Sequence, residues 1–286
     1  MSKSATVYTL MAALLKAEDI LGKDRKWQDK NPSQEKLVSR FLPFMPEART
    51  IKEIESISGR SAKQINDFLA KHDFSIMLKD FAPNEFGVAA VLDLLVKWLA
   101  AGKKVQIKGA DKKQYPGVYL KEGVRILNAY GNHNGPIARI RTKSDDEVFM
   151  TMIDKVPDGL DLIEFASKLI SQFHYNDDHE GLHFPMIDFK NQPDISWLLG
   201  LATTDSTGRH AWISQAKQET KLRMNEIGAR VQDAVALGVM RGISRPKTPL
   251  IINRPFLCIF TRPGLKMPLA VFHLEPDCWK DPGGLD

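Results

Sequence analysis

The feature of this chain that most constrains its fold is a series of short motifs near its C-terminal end. In chain order they are Ile213-Ser214-Gln215, Asn225-Glu226-Ile227-Gly228, Asn253-Arg254-Pro255-Phe256-Leu257 and Met267-Pro268-Leu269-Ala270-Val271-Phe272, with a closing Glu275-Pro276. Each motif is common when it stands alone. Four motifs in this order and at these spacings form a much more specific pattern, which points to one established chain topology.

This series resembles the C-terminal part of the serpins, the family of serine protease inhibitors. Serpins contain, in the same order, a V-S-Q-like strand, an N-E-x-G motif, an exposed loop, an N-R-P-F-L motif and a final hairpin. Further segments that resemble serpin helices or strands extend the match from about Ser61 to Pro276: 63–68, 155–160, 180–189 and 194–201. The resemblance implies an α+β fold in which helices cover mixed β-sheets.

The first sixty residues depart from the family. A full serpin has several more helices and a strand before the helix that covers its main sheet, and this chain has no room for them. We therefore expect a divergent and shortened N-terminal helical segment at residues 1–60. We expect a serpin-like body at residues 61–286, with an exposed reactive loop at about 229–249.

Length and composition are those of an ordinary globular chain. The 286 residues are 43% hydrophobic and 26% charged, and the net charge is +5. Such a length suffices for one large domain or two ordinary ones. The charge excess allows contact with an anionic surface without demanding it. No run of residues approaches the roughly 20 apolar residues of a membrane span, so we expect no membrane contact.

Cysteine usage and the N-terminal sequence bear on the compartment. The two cysteines, Cys258 and Cys278, give no disulfide framework and fit a reducing environment. Cys258 lies in an apolar run, where a thiol is usually buried. The apolar residues of 7–15 share one helical face and no small-residue cleavage site follows, which favours a helix over a signal peptide. We expect a cytoplasmic protein, with secretion as the less favoured alternative.

Hydrophobic periodicity outlines the secondary structure. It predicts helices at 5–20, 35–42, 61–78 and 160–173, a loop at 22–34, and helix breaks at Pro43 and Pro46. The apolar run 86–99 fits a buried strand or a buried helix by pattern alone. The serpin resemblance implies a strand in the centre of the main sheet. Short alternating runs between residues 103 and 150, separated by turn residues, predict strands and hairpins.

A possible metal motif is present in the sequence. His179-Glu180-Gly181-Leu182-His183 matches the H-E-x-x-H pattern of zinc proteases. That chemistry requires a helix, so that both imidazoles reach one metal ion. Gly181 and the following Pro185 both oppose a helix, and the residues after Leu182 read as a strand. We therefore interpret the match as chance. No phosphate loop, dinucleotide fingerprint or nucleophile elbow occurs, and we expect a non-catalytic protein without a cofactor or metal.

The resemblance implies a reactive loop whose cleavage by a protease leads to insertion of the loop into the main sheet. The candidate scissile residues are Met240, Arg241, Gly242, Ile243, Ser244 and Arg245, and the candidate hinge residues are Glu226, Gly228, Ala229 and Asp233. Counting from Gly228 places the cleavage near Gly242, whereas counting back from Pro255 places it near Ser244, so the loop is slightly short. Small residues are favoured in inhibitory hinges, and Asp233 would face the core after insertion, where a carboxylate is destabilising.

These departures weigh against efficient trapping of a protease. We expect a serpin-fold protein that binds a protease or another protein through its loop. An active inhibitor of a trypsin-like protease is the alternative. A second alternative is binding of a polyanion or nucleic acid, with contact through Lys103, Lys104, Lys108, Lys112 and Lys113. That segment contains one aromatic residue, Tyr115, and no stacking pattern, which favours a solvated hairpin face.

Overall fold

The computed structural model describes residues 1–129, 135–175, 178–228 and 248–285. The chain divides into two compact units. Unit 1 comprises Met1–Ser4, Leu95–Lys190 and Lys221–Asp286, and unit 2 comprises Ala5–Leu94 and Asn191–Thr220. None of the helices in the described ranges is long and apolar enough to cross a membrane.

The helices and strands are as follows. The α-helices are α1 (Val7–Leu21), α2 (Pro32–Lys36), α3 (Ala62–Lys71) and α4 (Gly159–Leu169), with a π-helical turn at Leu37–Phe41 and 3₁₀ segments at Leu42–Thr50, Ser196–Leu198 and Pro276–Cys278. The strands are β1 (Lys3–Ala5), β2 (Ile54–Gly59), β3 (Gly87–Leu92), β4 (Lys103–Lys108), β5 (Gln114–Leu120), β6 (Val124–Ala129), β7 (Pro136–Arg141), β8 (Glu147–Met152), β9 (Phe173–Tyr175), β10 (His179–Pro185), β11 (Ile187–Asn191), β12 (Ala202–Thr204), β13 (His210–Trp212), β14 (Thr220–Met224), β15 (Thr248–Ile251), β16 (Phe256–Thr261) and β17 (Ala270–Leu274).

The core of unit 1 is a seven-stranded sheet with the order β1-β17-β16-β8-β7-β6-β9. Its central strands are apolar on both faces, and every residue of β17 is buried. Antiparallel register places Cys258 between Met150 on one neighbour and Phe272 on the other. Since both faces exclude water, the apolar runs near the C-terminal end of the sequence form consecutive buried strands.

Both cysteines are buried and free, as expected for Cys258. Burial raises the pKa of the Cys258 thiol far above its usual range. Burial also raises the pKa of Cys278 to about 11. Because the thiolate is the reactive form, both thiols are chemically inert at neutral pH.

A four-stranded sheet in unit 1 has the order β15-β10-β5-β4. β10 and β15 are parallel, whereas β10–β5 and β5–β4 are antiparallel. β4 and β15 are therefore the edges of this sheet. β11 and β14 form a separate two-stranded ladder.

Unit 2 contains a second, smaller hydrophobic core. β2 and β3 form an antiparallel ladder from Ile54–Leu92 to Gly59–Gly87, and α1 and α3 pack on it. Ile65 and Leu69 of α3 are buried against Ala89 and Val91 of β3. Partly buried side chains surround this cluster: Ile57, Phe68, Phe74, Ile76, Leu78 and Phe81.

The α+β class is confirmed, and so are the helix near the N-terminus and the strands between residues 103 and 150. The first sixty residues, expected as a helical segment, also contain the strands β1 and β2. The helix predicted for 35–42 is α-helical only to Lys36, and a 3₁₀ segment that contains both Pro43 and Pro46 begins at Leu42. Pro43 is tolerated in the first turn of this segment, where the N–H it lacks would be unpaired.

Four other elements differ from the sequence prediction. The helix predicted for 61–78 ends at Lys71, because Asp73 adopts a φ of 62° and the Phe74 N–H donates back to the Leu69 carbonyl at 2.9 Å. The strand predicted at Ile213-Ser214-Gln215 is absent from the described ladders. There the Gln215 side chain pairs with the Lys79 backbone, accepting its N–H at 2.8 Å and donating to its carbonyl at 3.1 Å.

The strand predicted in the apolar run 86–99 exists as β3, but it is shorter than the run. Its predicted place in the centre of the main sheet is wrong, because its only ladder among the described residues is the one with β2. The helix predicted for 160–173 ends at Leu169, and Phe173 begins β9.

Replacing Ile65 with alanine should destabilise unit 2. The side chain is 0% exposed, and removing its methylene and methyl groups leaves a cavity that costs about 2–5 kcal/mol. The measurement is chemical denaturation followed by circular dichroism. Gln64→Ala is the control, because its neighbouring side chain is exposed and its removal should change the unfolding free energy by less than about 0.5 kcal/mol. Equal stabilities of the two variants would contradict this packing.

Candidate functional site

The N-terminal root of the predicted loop is a tight turn at Asn225–Gly228, directly after β14. Asn225 Oδ1 accepts a hydrogen bond from the Ile227 N–H at 2.9 Å. The Asn225 N–H donates to the Gly228 carbonyl at 3.2 Å, and the Gly228 N–H donates to the Asn225 carbonyl at 3.4 Å. Asparagine suits this position because its short side chain can replace a backbone partner in a turn.

Gly228 lies against the backbone of residues 96–98. Its φ is +122°, and a Cβ placed there would lie 2.8 Å from Trp98 N and 2.9 Å from both Lys97 Cα and Val96 O. A β-bridge joins Lys97 to Gly228. Only glycine combines this φ with so close an approach of two backbones.

Trp98 forms a hydrogen bond to the same turn. Its side chain is 1% exposed, and Nε1 donates to the Asn225 carbonyl at 3.0 Å. The indole meets Phe184 of β10 edge to face, with ring centroids 5.8 Å apart. A buried indole N–H requires a partner, so this hydrogen bond fixes both the indole ring and the turn.

Charged groups surround Glu226. Its backbone carbonyl accepts from the Gly102 N–H at 2.7 Å, and its Oε1 lies 3.4 Å from Lys104 Nζ. Lys104 also lies 3.6 Å from Asp281 Oδ2. Glu226 first and Asp281 second raise the pKa of Lys104 above its usual value. Because the Lys104 side chain is mostly exposed, these ion pairs orient the side chains of Glu226 and Lys104 but add little to the stability of the fold.

The segment 276–285 reaches this root from the end of the chain. Trp279 anchors it, being 2% exposed with its ring 5.0 Å from that of Tyr115. Beyond the anchor, the Gly283 carbonyl accepts from Asn225 Nδ2 at 3.2 Å. Residues 280–285 are exposed or half-buried, and the hydrogen bond to Gly283 and the ion pair of Asp281 with Lys104 connect this part of the chain to the turn.

The C-terminal root of the loop is β15. It pairs in parallel with β10, with His183 opposite Ile251. The Ile252 N–H donates to the His183 carbonyl at 2.8 Å, and the Asn253 carbonyl accepts from the Ala110 N–H at 2.8 Å. Arg254 donates from NH1 to both carboxylate oxygens of Asp154, at 2.9 and 3.0 Å. Both ends of the interval 229–247 are therefore held by unit 1.

The predicted site residues divide into two groups. Glu226 and Gly228 lie at the root described above. Ala229, Asp233 and the scissile candidates Met240, Arg241, Gly242, Ile243, Ser244 and Arg245 lie outside the described residues. Sequence reasoning missed Trp98, Lys104 as a partner of Glu226, and the segment 276–285. The paired aromatic residues Tyr115 and Trp279 are far apart in sequence, and no local signal joins them.

The H-E-x-x-H residues lie on β10, so the predicted strand is confirmed. Gly181 has a φ of +85°, and the register shifts between His179 and Leu182. The His183 ring lies 4.9 Å from that of Tyr119, and burial lowers the pKa of His183. Among the described residues, no group of three His, Cys, Asp or Glu side chains is placed to hold a metal ion.

The predicted basic segment lies on β4 and on the turn between β4 and β5. Its five lysines are exposed: Lys103, Lys104, Lys108, Lys112 and Lys113. Lys104 is engaged by Glu226 and Asp281. In the turn, Asp111 accepts from the Tyr115 hydroxyl at 2.6 Å. This hydrogen bond raises the pKa of Tyr115 to about 12.

Comparison with solved structures identifies the fold. The chain is similar to a serpin from Schistosoma mansoni, with a TM-score of 0.60 and 11% identity over 96% of this chain and 95% of that chain. It is similar to the thermophilic serpin tengpin, with a TM-score of 0.58 and 11% identity over 96% and 88%. It is similar to human kallistatin, with a TM-score of 0.56 and 11% identity over 96% and 91%. No protein-family model and no curated protein matches the chain.

Replacing Gly228 with alanine should destabilise unit 1. The new Cβ meets backbone atoms that cannot move aside, in addition to the strain of a positive φ, so we expect a loss of about 2–4 kcal/mol. Gly264→Ala is the matched control, because Gly264 has a φ of +91° and nothing within 4 Å of an added Cβ. Thermal melting of both variants measures the difference. Equal losses would show that the contact with residues 96–98 adds nothing.

Proposed function

The chain has a serpin-like α+β fold. We propose that it binds a protease or another protein through the segment 229–247, without trapping a protease efficiently. The single observation that carries this proposal is the close backbone contact of Gly228 with residues 96–98, which includes a β-bridge to Lys97. Together with β15 at the other end, it supports a loop presented between two rigid attachment points. Such presentation favours binding, because attachment at both ends lowers the entropic cost of holding the segment against a partner.

The sequence of the segment argues against efficient trapping. In the serpin family, trapping requires the cleaved loop to enter the main sheet as a new strand. Strand alternation would place Asp233 toward the core, where an unpaired carboxylate costs about 2–5 kcal/mol. Arg230, Val231 and Gln232 also stand where inhibitory hinges have small residues. A binding role avoids these difficulties because it requires no insertion.

The alternative is an active inhibitor of a trypsin-like protease. Arg241 favours it, since this residue lies in the predicted scissile region and trypsin-like enzymes cleave after basic residues, whereas Arg245 precedes Pro246 and such enzymes do not cleave an Arg–Pro bond. A second candidate is contact with a polyanion through the β4–β5 hairpin. Lys103, Lys108 and Lys112 support it, because they are exposed and form no ion pair among the described residues. The fold and the absence of a recognised catalytic motif in the sequence support a non-catalytic role in each case.

One gel separates binding from trapping. Incubation with trypsin should cleave the chain first after Arg241, because exposed loops are the preferred sites of proteolysis and the Arg245–Pro246 bond resists trypsin. A binder gives a nicked protein and free protease, whereas a trapping inhibitor gives an SDS-resistant covalent complex. The control is Arg241→Ala with Arg245→Ala, which should resist the early cut. A covalent complex with the parent chain would refute the favoured function, and an early cut elsewhere would refute the loop assignment.

Nicking the loop should leave the melting temperature of the parent chain little changed at pH 7, because insertion would bury Asp233. Asp233→Ala removes this cost, so cleavage should stabilise the variant more than it stabilises the parent. Lower pH should likewise make cleavage more stabilising for the parent chain, since a protonated Asp233 carboxyl costs less free energy to bury. Thermal melting of intact and nicked protein measures both effects. A large rise in the parent at pH 7 would instead favour the inhibitor.

A further inference from the structure

A small sheet surface in unit 2 combines an exposed tryptophan with unpaired cations. The strands β12 and β13 pair with Ala202 opposite Trp212 and Thr204 opposite His210. On the other side of β12, a β-bridge joins Gln28 to Ala202. Residues that lie directly opposite one another share a face, so Gln28, Ala202 and Trp212 form one row across three adjacent segments.

The two faces of this sheet differ sharply. Thr203 and Trp27 are buried on one face, where Thr203 Oγ1 donates to the Lys26 carbonyl at 2.8 Å. On the other face Trp212 is 64% exposed. Alternation from the Gln28–Ala202 bridge and along β13 puts Lys26 and His210 on this second face, and both are exposed, as is Lys30. Lys30 Cδ lies 3.9 Å from the position of a Cβ on Gly200, next to the same row.

We call this surface the Trp212 face and define it by Lys26, Gln28, Lys30, Thr204, His210 and Trp212. Its named residues include no carboxylate. Lys26 and Lys30 form no ion pair within the part of the chain that the structure describes, and the face therefore carries net positive charge. Asp205, at the turn of the hairpin, is occupied by its own loop, where it accepts from Thr207 and Arg209. These hydrogen bonds, that of the Thr207 hydroxyl first, hold the pKa of Asp205 well below its usual range.

The backbone of the surface is rigid enough to present these groups. The Gln28 N–H donates to the Ala202 carbonyl at 2.7 Å, and the Ala202 N–H donates back to the Gln28 carbonyl at 3.2 Å. Arg25 NH1 donates to the Thr204 carbonyl at 3.1 Å. Arg25 and Arg209 are thus used within the hairpin, whereas Lys26 and Lys30 remain available to a ligand.

We propose that the Trp212 face is a binding site for single-stranded nucleic acid. A base stacks on the exposed indole, and the lysines pair with phosphates on either side of it. Gln28 and Trp212 lie two strand spacings apart, about 10 Å, and Lys26 and Lys30 each lie two residues from Gln28 along the chain. Long lysine side chains bridge such distances, and stacking on an aromatic ring between cations is the usual mode of single-strand binding.

Charge and apolar area favour this ligand over a protein. A protein interface needs a cluster of apolar anchors, whereas this face has a single large apolar side chain with cations and hydrogen-bonding groups around it. The β4–β5 hairpin of unit 1 has more lysines, but its two tyrosines are half-buried and engaged, Tyr115 by Asp111 and Trp279 and Tyr119 by the ring of His183. Stacking therefore distinguishes the Trp212 face from that hairpin.

The test is fluorescence anisotropy of a labelled single-stranded oligothymidylate titrated with the full chain at several salt concentrations. Trp212→Ala should weaken binding by about tenfold, while Trp212→Phe should retain most of the affinity because it keeps a stacking ring. Lys26→Gln with Lys30→Gln should reduce the slope of log affinity against log salt by about 1.4, since two phosphate contacts are lost. Melting temperatures should stay at the parent value, because these side chains are exposed.

The matched control is Lys52→Gln with Lys71→Gln, which removes the same charge from exposed positions of unit 2 that belong to neither the Trp212 face nor the β4–β5 hairpin. Its affinity should stay within about twofold of the parent value. Absence of binding by the parent chain at low salt would overturn the proposal. So would an affinity that Trp212→Ala leaves unchanged, or one that the control variant lowers as much as the Lys26 and Lys30 variant does, because either result indicates general charge attraction.

Discussion

The contact between Gly228 and the backbone of residues 96–98 is the constraint on which the candidate site depends. Two backbones can approach this closely only where one residue has no side chain, and the φ of Gly228 excludes other residues independently. Trp98 further fixes the position of the turn through its hydrogen bond to the Asn225 carbonyl. The ion pair of Glu226 with Lys104 and the hydrogen bond from Asn225 to the Gly283 carbonyl both lie on the turn that this contact positions.

Much of the fold could be predicted from the sequence where local pattern and tertiary packing agree. The alternating runs between residues 103 and 150 became strands because each also buries one face or both. The failures occur where a side chain replaces a backbone partner. Gln215 pairs with the Lys79 backbone in place of a ladder. Asp73 reverses the chain after α3 at a position where periodicity alone would continue the helix.

The candidate site was predictable only in part. The N-E-x-G motif identified Glu226 and Gly228. The turn and the close approach of two backbones both require a glycine, and a glycine at a fixed place in a motif is visible in the sequence. Trp98, Lys104 and Trp279 have no such signal, since an isolated tryptophan or lysine is compatible with many environments. The Trp212 face is a similar case. His210-Ala211-Trp212 alternates as a strand does, but the pairing of Gln28 with Ala202 spans a long interval of sequence. Only the folded register brings Lys26 and Lys30 beside the indole.

Burial of both native thiols has a practical consequence for studying this protein. Neither Cys258 nor Cys278 offers an accessible thiolate at neutral pH. A single cysteine introduced on the surface would therefore be the one group that a maleimide reagent modifies, with the native sequence otherwise intact. Spectroscopic labels could be placed at chosen positions, and distances between pairs of them followed in solution while a partner binds.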